Sequence, residues 1–352
     1  MTLLRFQLRF RTTLGSLLQA DTIFGHLMYH YLYRHGEAAL KKLLDEFGQS
    51  PKFVISDGFP AGYLPRPRLS LSSTEIRNLE ELVGQKHPNV DPQLVLSQIL
   101  RKVRKSRYVT AALLSQMADD LSMSALIRRV IEFSVCPLSF NDPACKNAGL
   151  KQCVVVDTLG FDSCVWTSEV KMKSATVIKN TVNRIRSSGS GIHGHEEHFW
   201  SGGFDVYASV IDPAWVDPLK ELFTDLELTG YGKKKSSGKG NFKIVSVEEV
   251  KLPAAASANA FVALSAFVPA PADPTDGTYG IMVKRGKIGE WFPRFVSPHK
   301  RPVIMIEAGS TFRESSARDY YGSFLRNVHF DPVVRHYAYA LPMHVRIAQS
   351  AE

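Results

Sequence analysis

Gly230-Tyr231-Gly232-Lys233-Lys234-Lys235-Ser236-Ser237-Gly238-Lys239-Gly240-Asn241-Phe242 joins a stretch of helical periodicity, Asp217 to Leu228, to one of strand periodicity, Lys243 to Val250. Its four glycines remove the Cβ that keeps other molecules away from backbone, and they admit backbone angles closed to other residues. Lys233, Lys234, Lys235 and Lys239 supply positive charge, and Ser236 and Ser237 supply hydroxyl donors. Successive amides in such a loop can turn inward and form a concave nest for an anion. A Walker loop runs from strand to helix and reads GxxxxGK[ST]. This one runs from helix to strand, and GxGxxG is also missing, so no nucleoside-triphosphate site is indicated. The competing reading is a surface loop that is simply mobile.

Working outward, Leu219, Leu222, Phe223 and Leu226 give the preceding helix one apolar face, and Phe204 to Ile211 before it reads as a strand. At the N-terminus Leu4, Phe6, Leu8 and Phe10 alternate with Arg5, Gln7, Arg9 and Arg11, the period of a half-buried strand with a basic outer row. Asp21 to His35 follows as a helix with Asp21 as N-cap, a stripe of Phe24, Leu27, Met28, Tyr31 and Leu32, and Gly36 as its stop. His26, His30 and Tyr33 fall on its polar face. A short second helix buries Leu40, Leu43, Leu44 and Phe47. Phe53 to Pro67 begins as a strand and ends in a Pro/Gly loop carrying Arg66 and Arg68. The order strand, helix, strand, strand, helix, Gly-rich loop, strand is a βαββαβ, ferredoxin-like unit of α+β class, carrying an insertion at about 70–170.

Within the insertion, residues 72 to 92 are polar and read as a flexible segment. Asp91-Pro92 then opens a helical region with a basic run, Arg101 to Arg107, followed by amphipathic pieces at Thr110–Leu121 and Ser124–Phe133. A charge run of this kind is usually a solvated face. Lys171 to Arg186 reads as a basic strand containing Lys179, Asn183, Arg184 and Arg186. A Gly/Ser-rich loop with His193, His195 and His198 comes next. H-x-H-x-x-H could ligate a metal, but no Cys or Asp partner stands nearby. Lys251 to Asn259 reads as a linker between a first domain, 1–250, and a strand-rich second one, 260–352. Strands there are expected at Ala260–Val268, Tyr279–Val283, Val303–Ile306 and Tyr337–Val345.

The 352 residues are 44% hydrophobic, enough for a substantial core, and the net charge of +9 favours an anionic partner such as nucleic acid. No apolar run approaches the roughly 20 residues that cross a bilayer. The N-terminus lacks a signal-peptide core. Cys136, Cys145, Cys153 and Cys164 form no CxxC pair, so neither a zinc ribbon nor a disulfide framework is indicated, and a reducing cytoplasm is the expected home.

Five pieces carry a resemblance. They are the N-terminal strand with Asp21-Thr22-Ile23-Phe24-Gly25, the loop from Ser56-Asp57 to Pro65-Arg66-Pro67, Asn183-Arg184-Ile185, Gly230–Phe242, and Ala308-Gly309-Ser310. In this order and spacing the chain resembles the handle-binding RAMP subunit of type III-A CRISPR effector (Csm) complexes. The resemblance implies two tandem RRM-like ferredoxin folds, no catalytic centre and no cofactor. It also implies a grip on the repeat-derived 5′ handle of the crRNA, docking to the large polymerase-domain subunit, and contact with the backbone RAMP subunit. Target RNA would be met only indirectly, and no membrane is involved. The chain departs from the family at Arg186-Ser187-Ser188, where threonine is usual, and at Tyr337-Ala338, where Tyr-Gly is.

A single-stranded handle exposes phosphates and bases, so it needs close-approaching backbone, cations and stacking partners. The expected RNA contacts are Gly230, Tyr231, Gly232, Lys233, Lys234, Lys235, Ser236, Ser237, Gly238, Lys239, Gly240, Lys179, Asn183, Arg184, Arg186 and Arg66. Tyr231, Phe242 or Tyr63 would stack, and the lysine side chains would lie in solvent. Phe59, Tyr63, Trp291 and Phe295 are candidates for subunit contact. Two rival readings remain. In one, His26 is the general acid or base of a RAMP endoribonuclease that processes precursor crRNA. In the other, the basic surface binds an acidic protein and no RNA.

Overall fold

The computed structural model describes residues 2–86, 88–89, 91–132, 173–183, 188–199, 202–289, 297–314 and 316–348. Strand β1 (Thr2–Phe10) buries Leu4, Phe6 and Leu8 as its alternation requires. Helix α1 (Ala20–Phe47) is broken at Gly36, whose φ of 82° and ψ of 172° interrupt the helix as the sequence indicates. The N-cap differs from expectation. Gln19 holds that position, and the Ala20 amide donates to Asp57 Oδ1 at 2.8 Å, while Asp21 receives the Lys284 ammonium at 2.9 Å. His30, expected on the polar face, is buried and meets Thr229 Oγ1 through Nε2 at 3.0 Å.

After β2 (Phe53–Pro60) and β3 (Tyr63–Pro65), the insertion is more ordered than its polarity suggests. Residues 73–86, expected to be flexible, form α2 (Ser73–Lys86). The reason is a capping box. Glu75 accepts from the Ser72 amide at 2.8 Å and the Glu75 amide donates back to Ser72 Oγ at 3.2 Å, while Leu79 and Val83 are buried. Helix α3 (Pro92–Lys105) starts as expected, with Asp91 Oδ1 accepting from the Gln93 amide at 2.9 Å. Then come β4 (Tyr108–Thr110), α4 (Ala111–Met117) and α5 (Met123–Glu132). The four cysteines lie outside the described residues.

β5 (Lys173–Asn183) and β6 (Ser188–Phe199) pair antiparallel as a ribbon, so the histidine-bearing stretch, expected to be a flexible loop, is a strand. β7 (Phe204–Val210), α6 (Val216–Thr229) and β8 (Phe242–Glu249) complete the first half. The sheet order is β2-β7-β1-β8, with every observed neighbour pair antiparallel. α6 lies against one face, where the rings of Phe6 and Phe223 stack at 3.8 Å. Burying one such ring is worth roughly 1.5–3 kcal/mol. The other face is covered over β7, where Asp205, Tyr207 and Ser209 are buried and Asp205 Oδ2 accepts from the Gly62 amide at 2.9 Å. Its β1–β8 side carries the exposed Arg9 and the Arg5–Glu248 ion pair. Burial raises the Asp205 pKa.

Every described element of the second half is a strand. β9 (Ala260–Ala263), β10 (Gly277–Thr278), β13 (Thr311–Arg313) and β16 (Pro342–Val345) form a sheet of order β10-β13-β9-β16. β11 (Ile281–Lys284) pairs with β12 (Val303–Ile306), and β14 (Tyr321–Leu325) with β15 (His336–Ala340). The expected strand at Tyr337–Val345 is thus two strands in different sheets, divided at Leu341. The halves share one apolar cluster running from Leu4 to Val345. Phe24 stacks on Tyr337 at 4.7 Å, the Ile55 amide donates to Tyr337 Oη at 2.7 Å, and Tyr339 Oη donates to the Phe47 carbonyl at 2.8 Å. Among the described residues no helix is long and apolar enough to cross a membrane.

Candidate nucleic-acid interface

The Gly230–Phe242 loop leaves α6 through Gly230 at φ 77° and continues through Gly232 at 79°, Lys234 at 61°, Gly238 at 83° and Gly240 at 68°. These positive-φ positions close a compact turn rather than the open anion nest the sequence suggests, because the Ser237 and Lys239 amides donate to the Lys234 carbonyl and the Gly238 amide to the Lys235 carbonyl. Two glycines also answer to packing. A Cβ at Gly240 would stand 1.9 Å from the Tyr231 carbonyl oxygen, and one at Gly232 would stand 2.4 Å from Ser16 Oγ. Gly238 faces open space.

Three neighbours brace the loop. From inside, Tyr231 is fully buried; its hydroxyl donates to the Leu17 carbonyl at 2.8 Å and accepts from the Gln19 amide at 3.1 Å. Tyr231 is therefore an anchor, not a stacking platform, and Phe242 is likewise core. From one side comes the turn between β1 and α1. The Gly240 amide donates to the Thr13 carbonyl at 2.9 Å, and the Asn241 amide to Thr12 Oγ1 at 2.9 Å.

From the other side comes the β5–β6 ribbon. Leu14 and His198 exchange two backbone hydrogen bonds of 2.8 Å, which fastens β6 to that same turn. Buried Glu197 then accepts from the Lys239 ammonium at 2.7 Å, from His195 Nε2 at 2.8 Å and from the Thr13 hydroxyl. The Lys234 ammonium donates to His195 Nδ1 at 3.1 Å, which places the ring proton on Nε2. Lys239, then Thr13 and His195, hold the Glu197 carboxylate down at about 2, against the desolvation that burial imposes.

The expected residues therefore divide. Lys233, Ser236, Ser237 and Gly238 form an exposed crest, and Lys179 is exposed on β5. Lys234, Lys235 and Lys239 are half-buried rather than immersed in solvent. Asn183 ends β5, while Arg184 and Arg186 lie outside the described residues. Arg66 is turned to the insertion: its Nε donates to the Ser106 carbonyl at 2.9 Å, where the C-terminus of α3 favours a cation. Tyr63 is half-buried in β3. Phe59 is buried, whereas Ile281, Val283, Ile304 and Phe330 are exposed; Trp291 and Phe295 lie outside the described residues.

His195 and His198 sit on opposite faces of β6, and His195 is committed to Glu197 and Lys234. His193 also belongs to β6. Among the described residues no group of three or more His, Cys, Asp or Glu is placed to hold a metal. Thr13, Ser16 and Glu197 were not foreseen. The Thr12-Thr13-Leu14-Gly15-Ser16 run signals only a loop, and its closeness to residues 230–242 is a matter of tertiary structure.

Neither protein-family models nor curated protein sequences give a match. Solved structures do. One chain of the Csm3-Csm4 subcomplex of the type III-A CRISPR-Cas interference complex is similar over 99% of this chain and 100% of that one, at 11% identity and a TM-score of 0.53. One chain of the Csm1-Csm4 cassette in complex with cA4 is similar over the same shares, at 17% identity and a TM-score of 0.51. With pppApA the figures for that cassette are 16% and 0.50. This chain has the fold found in those assemblies. Csm4 is the component the two assemblies have in common, and the likeness runs through both halves and the insertion.

Proposed function

We propose that this chain is the RAMP subunit of a type III-A CRISPR effector complex that binds the 5′ handle of the crRNA, without catalysis of its own. The observation that carries this is the Gly-rich loop. Tyr231, Thr13 and Glu197 brace it from three directions, and Lys233 with Ser236 to Gly238 is left exposed at its crest. A loop that was only a mobile connection would have no use for a buried carboxylate holding Lys239. The crest offers the Lys233 cation and the Ser236 hydroxyl, groups that phosphates and sugar edges engage. The Ser237 and Gly238 amides and the Ser237 hydroxyl donate to the Lys234 and Lys235 carbonyls and hold its shape. Lys179 extends the positive strip along the ribbon.

RNA on this protein runs over loop and ribbon, not over the β-sheet face that an RRM uses. Over β7 that face is covered, with Asp205, Tyr207 and Ser209 buried, and towards β8 the exposed Glu248 engages Arg5. The βαββαβ element order of the first half supports one ferredoxin-like fold. Two tandem RAMP domains, 1–250 and 260–352, are the reading we extend to the whole chain. The large polymerase-domain subunit and a backbone RAMP subunit are its protein partners, by analogy with the Csm1 and Csm3 that accompany the similar chains. Guide sequence is read by base pairing, so this subunit recognises handle shape and backbone.

The test is to co-express the chain with a type III-A large subunit, a backbone subunit and a repeat-containing precursor RNA, then sequence the RNA that co-purifies. RNA whose 5′ end carries repeat-derived sequence is the expected result. Recovery of the assembly with no RNA, or with random fragments, overturns the proposal.

A further inference from the structure

The Gly232 amide donates to His26 Nε2 at 3.1 Å, and the His26 and Tyr231 ring centroids lie 5.3 Å apart. We propose that His26 is a positioning residue of the Gly-rich loop, acting as a hydrogen-bond acceptor for Gly232. This rests on the RNA-binding reading of the loop and names the first-helix residue that sets its geometry.

The chemistry follows from the donor. A backbone amide can only donate, so Nε2 must present its lone pair and carries no proton while the loop is docked. A nitrogen committed in this way cannot protonate a leaving group. Gly232 has little freedom to adjust, since its φ is 79° and Ser16 Oγ fills the space a Cβ would need. The Lys233 amide, next along, points at Ser16 Oγ at 3.4 Å, so His26 and Ser16 receive consecutive amides at the loop entry. Tyr231 anchors the preceding residue through Leu17 and Gln19. His26 thus fixes where the backbone turns outward, immediately before the exposed Lys233. The helix supplies a rigid base for that acceptor, because Ile23 and Leu27 on either side of His26 are buried.

Glutamine can place an amide oxygen near the Nε2 position, whereas asparagine reaches only as far as Nδ1. The experiment compares full-length wild type with His26→Ala, His26→Gln and His26→Asn in two readouts. The first is amide hydrogen exchange at Gly232 without RNA. The second is affinity for a synthetic single-stranded RNA of the repeat-derived handle, across a salt series. Loss of one hydrogen bond of this kind is worth roughly 1 kcal/mol, about fivefold. Gly232 should exchange about fivefold faster, and the RNA should bind about fivefold more weakly, in the His26→Ala and His26→Asn variants. The His26→Gln variant should stay within about twofold of wild type. The salt slope should not change, because no phosphate contact is removed.

If the His26→Gln and His26→Asn variants behave alike, or if Gly232 exchange is unchanged in His26→Ala, the inference is overturned. If His26→Ala fails to fold, the other two variants still decide it. If wild type itself does not bind the handle, the RNA-binding proposal falls, and the exchange measurement alone decides the role of His26.

Discussion

Glu197 and Lys239 are 42 residues apart in the chain and meet at 2.7 Å, joining the β5–β6 ribbon to the Gly-rich loop. Glu197 is buried, so this is a brace between two elements rather than a surface ion pair. Breaking such a contact leaves polar groups without partners, which costs more than the contact gains.

Glu197→Ala should therefore lower stability by roughly 2 kcal/mol, within the range for hydrogen bonds to charged groups. The pH dependence has a definite sign. The folded-state pKa is depressed from 4.5 to about 2, so the contribution is fully present above the unfolded value and is lost as pH falls through that window. Urea titrations of wild type and Glu197→Gln should differ clearly at pH 6 and converge as pH falls from 4.5 towards 2. A gap that widens with acid contradicts this.

Asp57 behaves in the opposite sense. Desolvation pushes its carboxyl from 3.8 up to about 7, although it accepts from the Ala20 amide at the start of α1. Folded protein then holds a proton that the unfolded chain has released, so stability falls as pH rises from about 4 to 7. One proton gives at most about 1.4 kcal/mol per pH unit. Asp57→Asn keeps an acceptor for Ala20 and should flatten the stability profile in that range. An unchanged slope by urea titration would contradict the assignment.

Loop charge and loop shape should separate. Lys233→Ala removes an exposed cation and should flatten the log–log salt dependence of handle binding by about 0.7. Lys239→Ala should also loosen the ribbon, seen as faster exchange of the Gly240 amide. Gly238→Ala meets no neighbour but strains a φ of 83°, at roughly 1–3 kcal/mol, so binding weakens with the salt slope unchanged. Gly240→Ala cannot fit against Tyr231 and should lower fold stability even without RNA.

Tyr337→Phe removes the acceptor of the buried Ile55 amide and should cost roughly 1–3 kcal/mol. Because Tyr337 stacks on Phe24 across the two halves, both should melt in one transition in wild type. Two separated calorimetric transitions would show that the shared cluster does not couple them.

Much of the first half was legible because its signals are local. The alternation of Leu4, Phe6 and Leu8, the stop at Gly36 and the cap at Asp91 each act within a few residues. Ser72-Ser73-Thr74-Glu75 was legible too, as a capping box, but the polarity around it masked the helix. Tyr337 to Val345 reads as one run because alternation does not show a strand changing sheets at Leu341. Tyr231 looked like a stacking residue since glycines flank it. Burial came instead from acceptors and donors more than 200 positions away, at Leu17 and Gln19. Glu197 gave no local signal, its partners being Thr13 and Lys239.

The most direct test of the loop as handle site is photo-crosslinking of a handle RNA, substituted with photoreactive uridine, in the assembled complex, followed by peptide mapping. The account predicts crosslinks within residues 230–242, centred on Lys233 to Gly238, with further ones on the β5–β6 ribbon. Crosslinks confined to other segments, with none between Gly230 and Phe242, would contradict it.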